Sequence, residues 1–94
     1  MSIYLTAIVK SKKETTAALR TMLLDMVVNS RKEEACIQYD LHESAVDDTF
    51  IFQEEWKDQL SLDLHNQQPY ILGFVAQADT LTDNIVIYKT EKLA

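Results

Sequence analysis

With 94 residues, the chain fits one small domain and leaves no room for two. Its 9 Lys+Arg against 15 Asp+Glu give a formal net charge of −6, which argues against nucleic acid, because phosphate binding needs a basic face. Hydrophobic residues make up 47% of the chain, enough to bury a core and to exclude a disordered tail.

Ile3 to Lys10 alternate, with Ile3, Leu5, Ala7 and Val9 on one side, and predict a first strand. Ser11-Lys12-Lys13-Glu14 has the S-x-x-E form of a capping box, in which two side chains satisfy orphan amides at a helix start. Behind it Leu19, Met22, Leu23, Met26 and Val27 recur at helical spacing, so a helix is expected from about Lys12 to about Ser30. A second strand follows, where Ala35, Ile37, Tyr39 and Leu41 alternate with Cys36, Gln38, Asp40 and His42. A turn over Ser44–Asp48 leads to a third strand, Thr49 to Trp56, which puts Phe50, Phe52, Glu54 and Trp56 on one face. Asp58 suits the N-cap of a short helix through Asn66. Pro69 suits the first turn of another, since its missing amide would be an orphan there. Tyr70, Ile71, Phe74, Val75 and Ala78 form that helix's apolar stripe, and Asn84 to Thr90 make a last strand.

The order β-α-β-β-α-α-β predicts an α+β, ferredoxin-like split βαβ fold with a four-stranded antiparallel sheet and helices on one face. The other face would carry Tyr4, Thr6, Ile8, Ile51 and Gln53. Such a half-apolar surface suggests cover by another subunit. Gly73 is the only glycine, which excludes phosphate-cradling loops, dinucleotide fingerprints and the serine-hydrolase elbow. Cys36 has no internal disulfide partner, which suits a reducing compartment. Together with His42 and His65 it offers no metal-ligand spacing, so no metal site is expected. No apolar run reaches the ~18–20 residues of a membrane span, and no basic n-region precedes the first apolar stretch. A cytoplasmic domain without membrane or nucleic-acid partners is expected.

Ser30-Arg31-Lys32-Glu33-Glu34-Ala35-Cys36-Ile37-Gln38-Tyr39 resembles the S-R-x-E-x-G-C-x-x-Y segment of the antibiotic biosynthesis monooxygenase family. Phe52-Gln53-Glu54-Glu55-Trp56, followed by Leu62, His65 and Pro69, resembles that family's x-E-x-W…L…H…P segment. The resemblance runs over nearly the whole chain and is nearest to the small quinol monooxygenases. It implies cofactor-free homodimers of ferredoxin-like subunits, the dimeric α/β barrel. The family also includes aldol-type isomerases, haem-degrading members and members without known activity. Ala35 stands where the family commonly has Gly, and Tyr70 where it has His after the proline. The haem-degrading members use an Asn on the first strand and a His in the last helix. This chain has no Asn between Ile3 and Lys10 and no His between Pro69 and Leu81, which argues against haem chemistry.

His65 is the first candidate for chemistry, since imidazole exchanges protons near neutral pH; the competing reading is a helix-terminal His bonded to a neighbour. Glu54 is the second. Its carboxylate projects from an apolar face, so it must be partnered or hold its proton at raised pH. A structural tie from Glu54 to Arg31, Arg20 or His65 competes with a catalytic role, and a Glu54–His65 pair would serve both. Phe52, Trp56, Tyr70 and Phe74 could line a pocket for a flat aromatic ligand or simply fill the core. Arg31 and Glu33 read as a local ion pair at a turn, Cys36 as a polar-phase thiol without a basic neighbour, and His42 as a solvated strand residue. Taken with the resemblance, these residues imply a cofactor-independent monooxygenase acting on a small quinol or polycyclic phenol, with His65 as proton acceptor oriented by Glu54. A non-catalytic dimer that binds a small aromatic compound, and a proton-transfer isomerase of a small carbonyl compound, remain open beside it.

Overall fold

The computed structural model describes residues 1–94. Its elements are β1 (Ile3–Ser11), α1 (Thr16–Arg31), β2 (Cys36–Glu43), β3 (Thr49–Trp56), α2 (Gln59–His65), α3 (Pro69–Leu81) and β4 (Thr82–Thr90). The strands form one antiparallel sheet in the order β2-β3-β1-β4, the α+β arrangement expected from the element order. Register sets which side chains share a face. Leu5 lies opposite Glu54 and Lys89, Ala7 opposite Phe52 and Ile87, and Val9 opposite Phe50 and Ile85. Because side chains alternate along a strand, these rows together form the face beneath the helices.

The core joins Val9, Phe50, Phe52 and Trp56 of the sheet to Leu19, Leu23, Met26 and Val27 of α1, Leu62 of α2, and Ile71 and Phe74 of α3. Each of these large side chains contributes roughly 1.5–3 kcal/mol when fully buried. Tyr4, Thr6, Ile8, Ile51, Gln53 and Val86 lie on the opposite face, which no helix covers, and each is only half-buried. No helix is long and apolar enough to cross a membrane.

Three local expectations are corrected. Ser11 caps no helix: it ends β1 opposite Thr82, its amide bonds Asp48 O, and its hydroxyl meets Thr16 Oγ1 at 2.7 Å. Pairing with β4 thus prolongs the strand and delays α1 to Thr16, with Thr15 at the N-cap making no side-chain cap bond. On β2, a register shift between Cys36 and Gln38 reverses the phase of the strand's first residues, as an extra residue in a bulge does. Ile37 therefore points outward at 56% exposure, and Cys36 packs against the core rather than in the polar phase. The last strand begins at Thr82, two residues earlier than its apolar alternation indicated, because the backbone passes from α3 into sheet pairing without a loop.

Candidate active site

Two short elements aim His65 inward. The Asp58 side chain accepts the Ser61 amide at 2.8 Å and the Ser61 hydroxyl at 2.7 Å, which caps α2 and starts it in register. Leu62 and His65, one turn apart, are the buried residues of α2. Pro69 then opens α3 at its first turn, as its fixed φ allows. The reversal at Gln68, whose amide bonds His65 O, brings Tyr70 alongside His65.

His65 is 3% exposed and pairs with Glu33, not Glu54: its Nδ1 lies 2.7 Å from Glu33 Oε2. Tyr70 donates its hydroxyl to the same carboxylate oxygen, and the Ser30 hydroxyl lies 3.0 Å from Tyr70. One assignment of protons satisfies the chain. Ser30 donates to Tyr70, Tyr70 donates to Glu33, and His65 donates Nδ1–H to Glu33. Since a neutral imidazole carries one N–H, Nε2 is left with its lone pair. Nε2 makes no hydrogen bond within the chain, no buried side-chain nitrogen or oxygen is unpartnered, and His65 lines a cavity. The lone pair therefore faces that cavity. Burial outweighs the attraction of Glu33 and lowers the His65 pKa from 6.5, so the ring is neutral at neutral pH.

Glu54 has a different environment. Its Oε1 accepts the Trp56 indole N–H at 2.9 Å, and it too lines the cavity. Burial pushes its carboxyl from 4.5 up to about 7, the Trp56 bond offsetting only part of the effect. The site thus holds two carboxyl groups. Glu33 accepts two hydrogen bonds and fixes the imidazole, and Glu54 retains its proton close to neutrality. Burial raises the Tyr70 pKa, and the bond to Glu33 raises it further; it raises the Tyr39 pKa as well, so both phenols remain protonated. The Cys36 thiol is raised to about 11, by burial first and then by Glu33 and Glu54, and carries no thiolate.

The cavity occupies about 150 Å³ between the sheet and α3. Leu5, Ala7, Val9, Phe52, Ile85 and Ile87 form its floor, Met26, Ile71, Phe74 and Val75 its roof, and Tyr39, Glu54, His65 and Asn66 its polar end. The exposed side chains of Asn66, Val75 and Ile87 mark its mouth. Of the four aromatic residues expected to line a pocket, Phe52 and Phe74 do so. Trp56 and Tyr70 stand behind the wall: Trp56 packs on the His65 ring, centroids 4.2 Å apart, and Tyr70 holds Glu33. Their polar ends are drawn to the two carboxylates, which turns both rings away from the open space.

Glu33 is the residue that strand and helix periodicity do not reveal. Instead of pairing with it, Arg31 donates to Tyr39 O and to Asp40 Oδ1, each at 3.1 Å. Arg20 likewise pairs with Glu43 and not with Glu54. Arg31 ties the end of α1 to β2 and leaves Glu33 to turn inward. The S-R-x-E segment was the one signal that marked it. His42 is exposed, and no three His, Cys, Asp or Glu side chains converge as a metal-binding group.

Residues 2–77 match the family model described as antibiotic biosynthesis monooxygenase. The chain belongs to the antibiotic biosynthesis monooxygenase family. It is 34% identical over 91 residues to YcnE of Bacillus subtilis, covering 95% of this chain and 96% of that one. It is 33% identical over 70 residues to Rv0793 of Mycobacterium tuberculosis, covering 74% and 69% respectively. Both relatives carry a provisional monooxygenase name. The fold superposes on the crystal structure of PA3566 from Pseudomonas aeruginosa with a TM-score of 0.94, at 31% identity and over 99% of this chain and 95% of that one. The structure of Rv0793 also gives 0.94, at 26% identity, covering 100% and 97%.

Proposed function

We propose that the chain is a cofactor-independent monooxygenase acting on a small quinol. The observation that carries this reading is the Glu33–His65 pair, which turns the Nε2 lone pair into an apolar cavity. A quinol holds the electrons that oxygen needs, so the protein has only to remove a proton, exclude water and hold the ring. His65 Nε2 takes the hydroxyl proton, and Glu33 stabilises the imidazolium that forms. The electron-rich anion bonds through a ring carbon to O₂, giving a peroxide that takes up one proton. Cleavage of the O–O bond releases water as that carbon loses its hydrogen and becomes a carbonyl. One oxygen atom is then in the hydroxyquinone and the other in water, with both electron pairs supplied by the quinol. Phe52 and Phe74 hold the ring, while Trp56 and Tyr70 act as positioning residues behind His65.

One observation favours a second reading. Glu54 holds a proton near neutrality and lines the same cavity as His65. An acid beside a base can shift a proton between two atoms of a carbonyl compound without oxygen. Oxygen uptake with reduced quinols, corrected for autoxidation and run beside His65→Ala, separates the readings. Enzyme-dependent uptake that the variant loses supports the oxygenase, and uptake no faster than autoxidation refutes it.

The same proposal includes a homodimer in the cytoplasm. The half-buried Ile8, Ile51 and Val86 on the uncovered sheet face would meet the same face of a second copy, as the family resemblance implies. A monomeric mass by sedimentation at micromolar concentration would overturn that part.

A further inference from the structure

We infer that the site takes an uncharged compound with a single aromatic ring and rejects two- and three-ring or anionic ones, an inference that rests on the proton-accepting role of His65. Size comes first. At about 150 Å³ the cavity matches apolar cavities that hold one benzene molecule, and falls well below the ~300–1,000 Å³ of pockets for larger ligands. It has little freedom to grow, because Phe52, Met26, Ile71 and Phe74 are core side chains, each no more than 8% exposed. A second fused ring would have to displace one of them or stand out beyond Val75 and Ile87 at the mouth.

Charge comes second. No lysine or arginine lines the cavity. Its ionisable members are the neutral imidazole, the phenol of Tyr39 and the Glu54 carboxyl. Arg31 and Arg20 are engaged elsewhere by Asp40 and Glu43, and Lys89 reaches across to Gln59. A carboxylate or phosphate entering this space would lose its water and gain no cation. A neutral hydroxyl loses far less, and it meets the Nε2 lone pair at the polar end.

The test is anaerobic calorimetric titration of the full chain with phenol, hydroquinone, 4-hydroxybenzoate, 1,4-dihydroxynaphthalene and anthrone, with oxygen uptake measured in parallel. Phenol and hydroquinone should bind at least about tenfold tighter than the other three. Phe74→Ala should narrow the gap to 1,4-dihydroxynaphthalene by widening the roof, and Phe74→Leu, a smaller loss from the core, does the same if the alanine variant fails to fold. Equal or tighter binding of the two- or three-ring compounds by the wild type overturns the size inference. It leaves the His65 chemistry standing if their oxygen uptake is lost in His65→Ala. Equal binding of 4-hydroxybenzoate overturns the charge inference. Selective binding of phenol and hydroquinone without oxygen uptake upholds the cavity's selectivity and removes the oxygenase reading. If no compound binds, both fall.

Discussion

Replacing Glu54 by Gln keeps an acceptor for the Trp56 N–H and removes the only charge the carboxyl can carry, so its effect on stability should depend on pH. In the folded chain the carboxyl is raised from 4.5 to about 7 by burial. Between those pH values the folded state therefore binds more protons than the unfolded state. With that sign, the Glu54 contribution to stability is complete below pH 4.5 and is lost as the pH rises through about 7. Each tenfold change in proton affinity is worth about 1.4 kcal/mol, so the loss is about 3 kcal/mol, a large share of the ~5–15 kcal/mol of a whole domain. Urea unfolding of wild type and Glu54→Gln at pH 4.5, 6, 7 and 8.5, at one fixed protein concentration, measures it. The variant should gain on the wild type by about 3 kcal/mol between the extremes, roughly 2 M in urea midpoint. A difference that stays flat with pH would refute the buried, proton-holding Glu54. A difference that grows in favour of the wild type would mean that the carboxylate is stabilised when charged.

Other consequences can be checked independently. Glu33→Gln keeps an oxygen to accept from His65 and Tyr70 but removes the negative charge that stabilises the imidazolium, so kcat/KM with an active substrate should fall by about 10–100-fold, and His65→Ala should cost ~10²–10⁴-fold. In the wild type the acid limb of the kcat/KM profile should lie below pH 6.5, because burial lowers the His65 pKa; a limb above 6.5 would contradict the environment described. Asp58→Ala removes the α2 cap and should lower stability by about 1 kcal/mol, read as the shift in urea midpoint, and an unchanged midpoint would mean that Asp58 does not set the start of α2. Gly73 lies within α3 with nothing inside 4 Å of an added Cβ and without positive φ. Gly73→Ala should therefore stabilise the chain by roughly 0.5–1 kcal/mol, raising the thermal midpoint, whereas a lower midpoint would point to a contact made outside the chain.

Element order and sheet phase were legible because alternation survives wherever a strand pairs regularly. Phe50, Phe52 and Trp56 lie on the buried face that their spacing indicates, and Asp58 and Pro69 mark helix starts with chemistry that acts within one turn. His65 follows Leu62 by three residues, the spacing that puts both on one face of α2, where they are its buried residues. Where reading failed, a long-range contact overrode a local rule. Ser11 fits a capping box, but pairing with Thr82 claims its backbone for the sheet. Cys36 fits the polar phase until the bulge shifts it, and nothing in the order of side chains announces the bulge. Glu33 sits between elements, where neither period of 2 nor of 3.6 applies, so its meeting with His65, 32 residues away in sequence, depends on the fold. Trp56 and Tyr70 were recognisable as aromatic neighbours of the site. Their placement behind the wall follows from hydrogen bonds to carboxylates that only the folded chain brings near.

Trp56 is the chain's one tryptophan. Its ring lies against His65, and its N–H is bonded to Glu54. The indole emission of the whole protein therefore originates between the two groups whose protonation matters most. A protonated imidazole in contact quenches an indole, and a newly formed carboxylate on its N–H shifts its emission, so the two titrations differ in intensity and colour. The protein carries its own optical gauge of the site's proton inventory, readable without substrate, label or turnover.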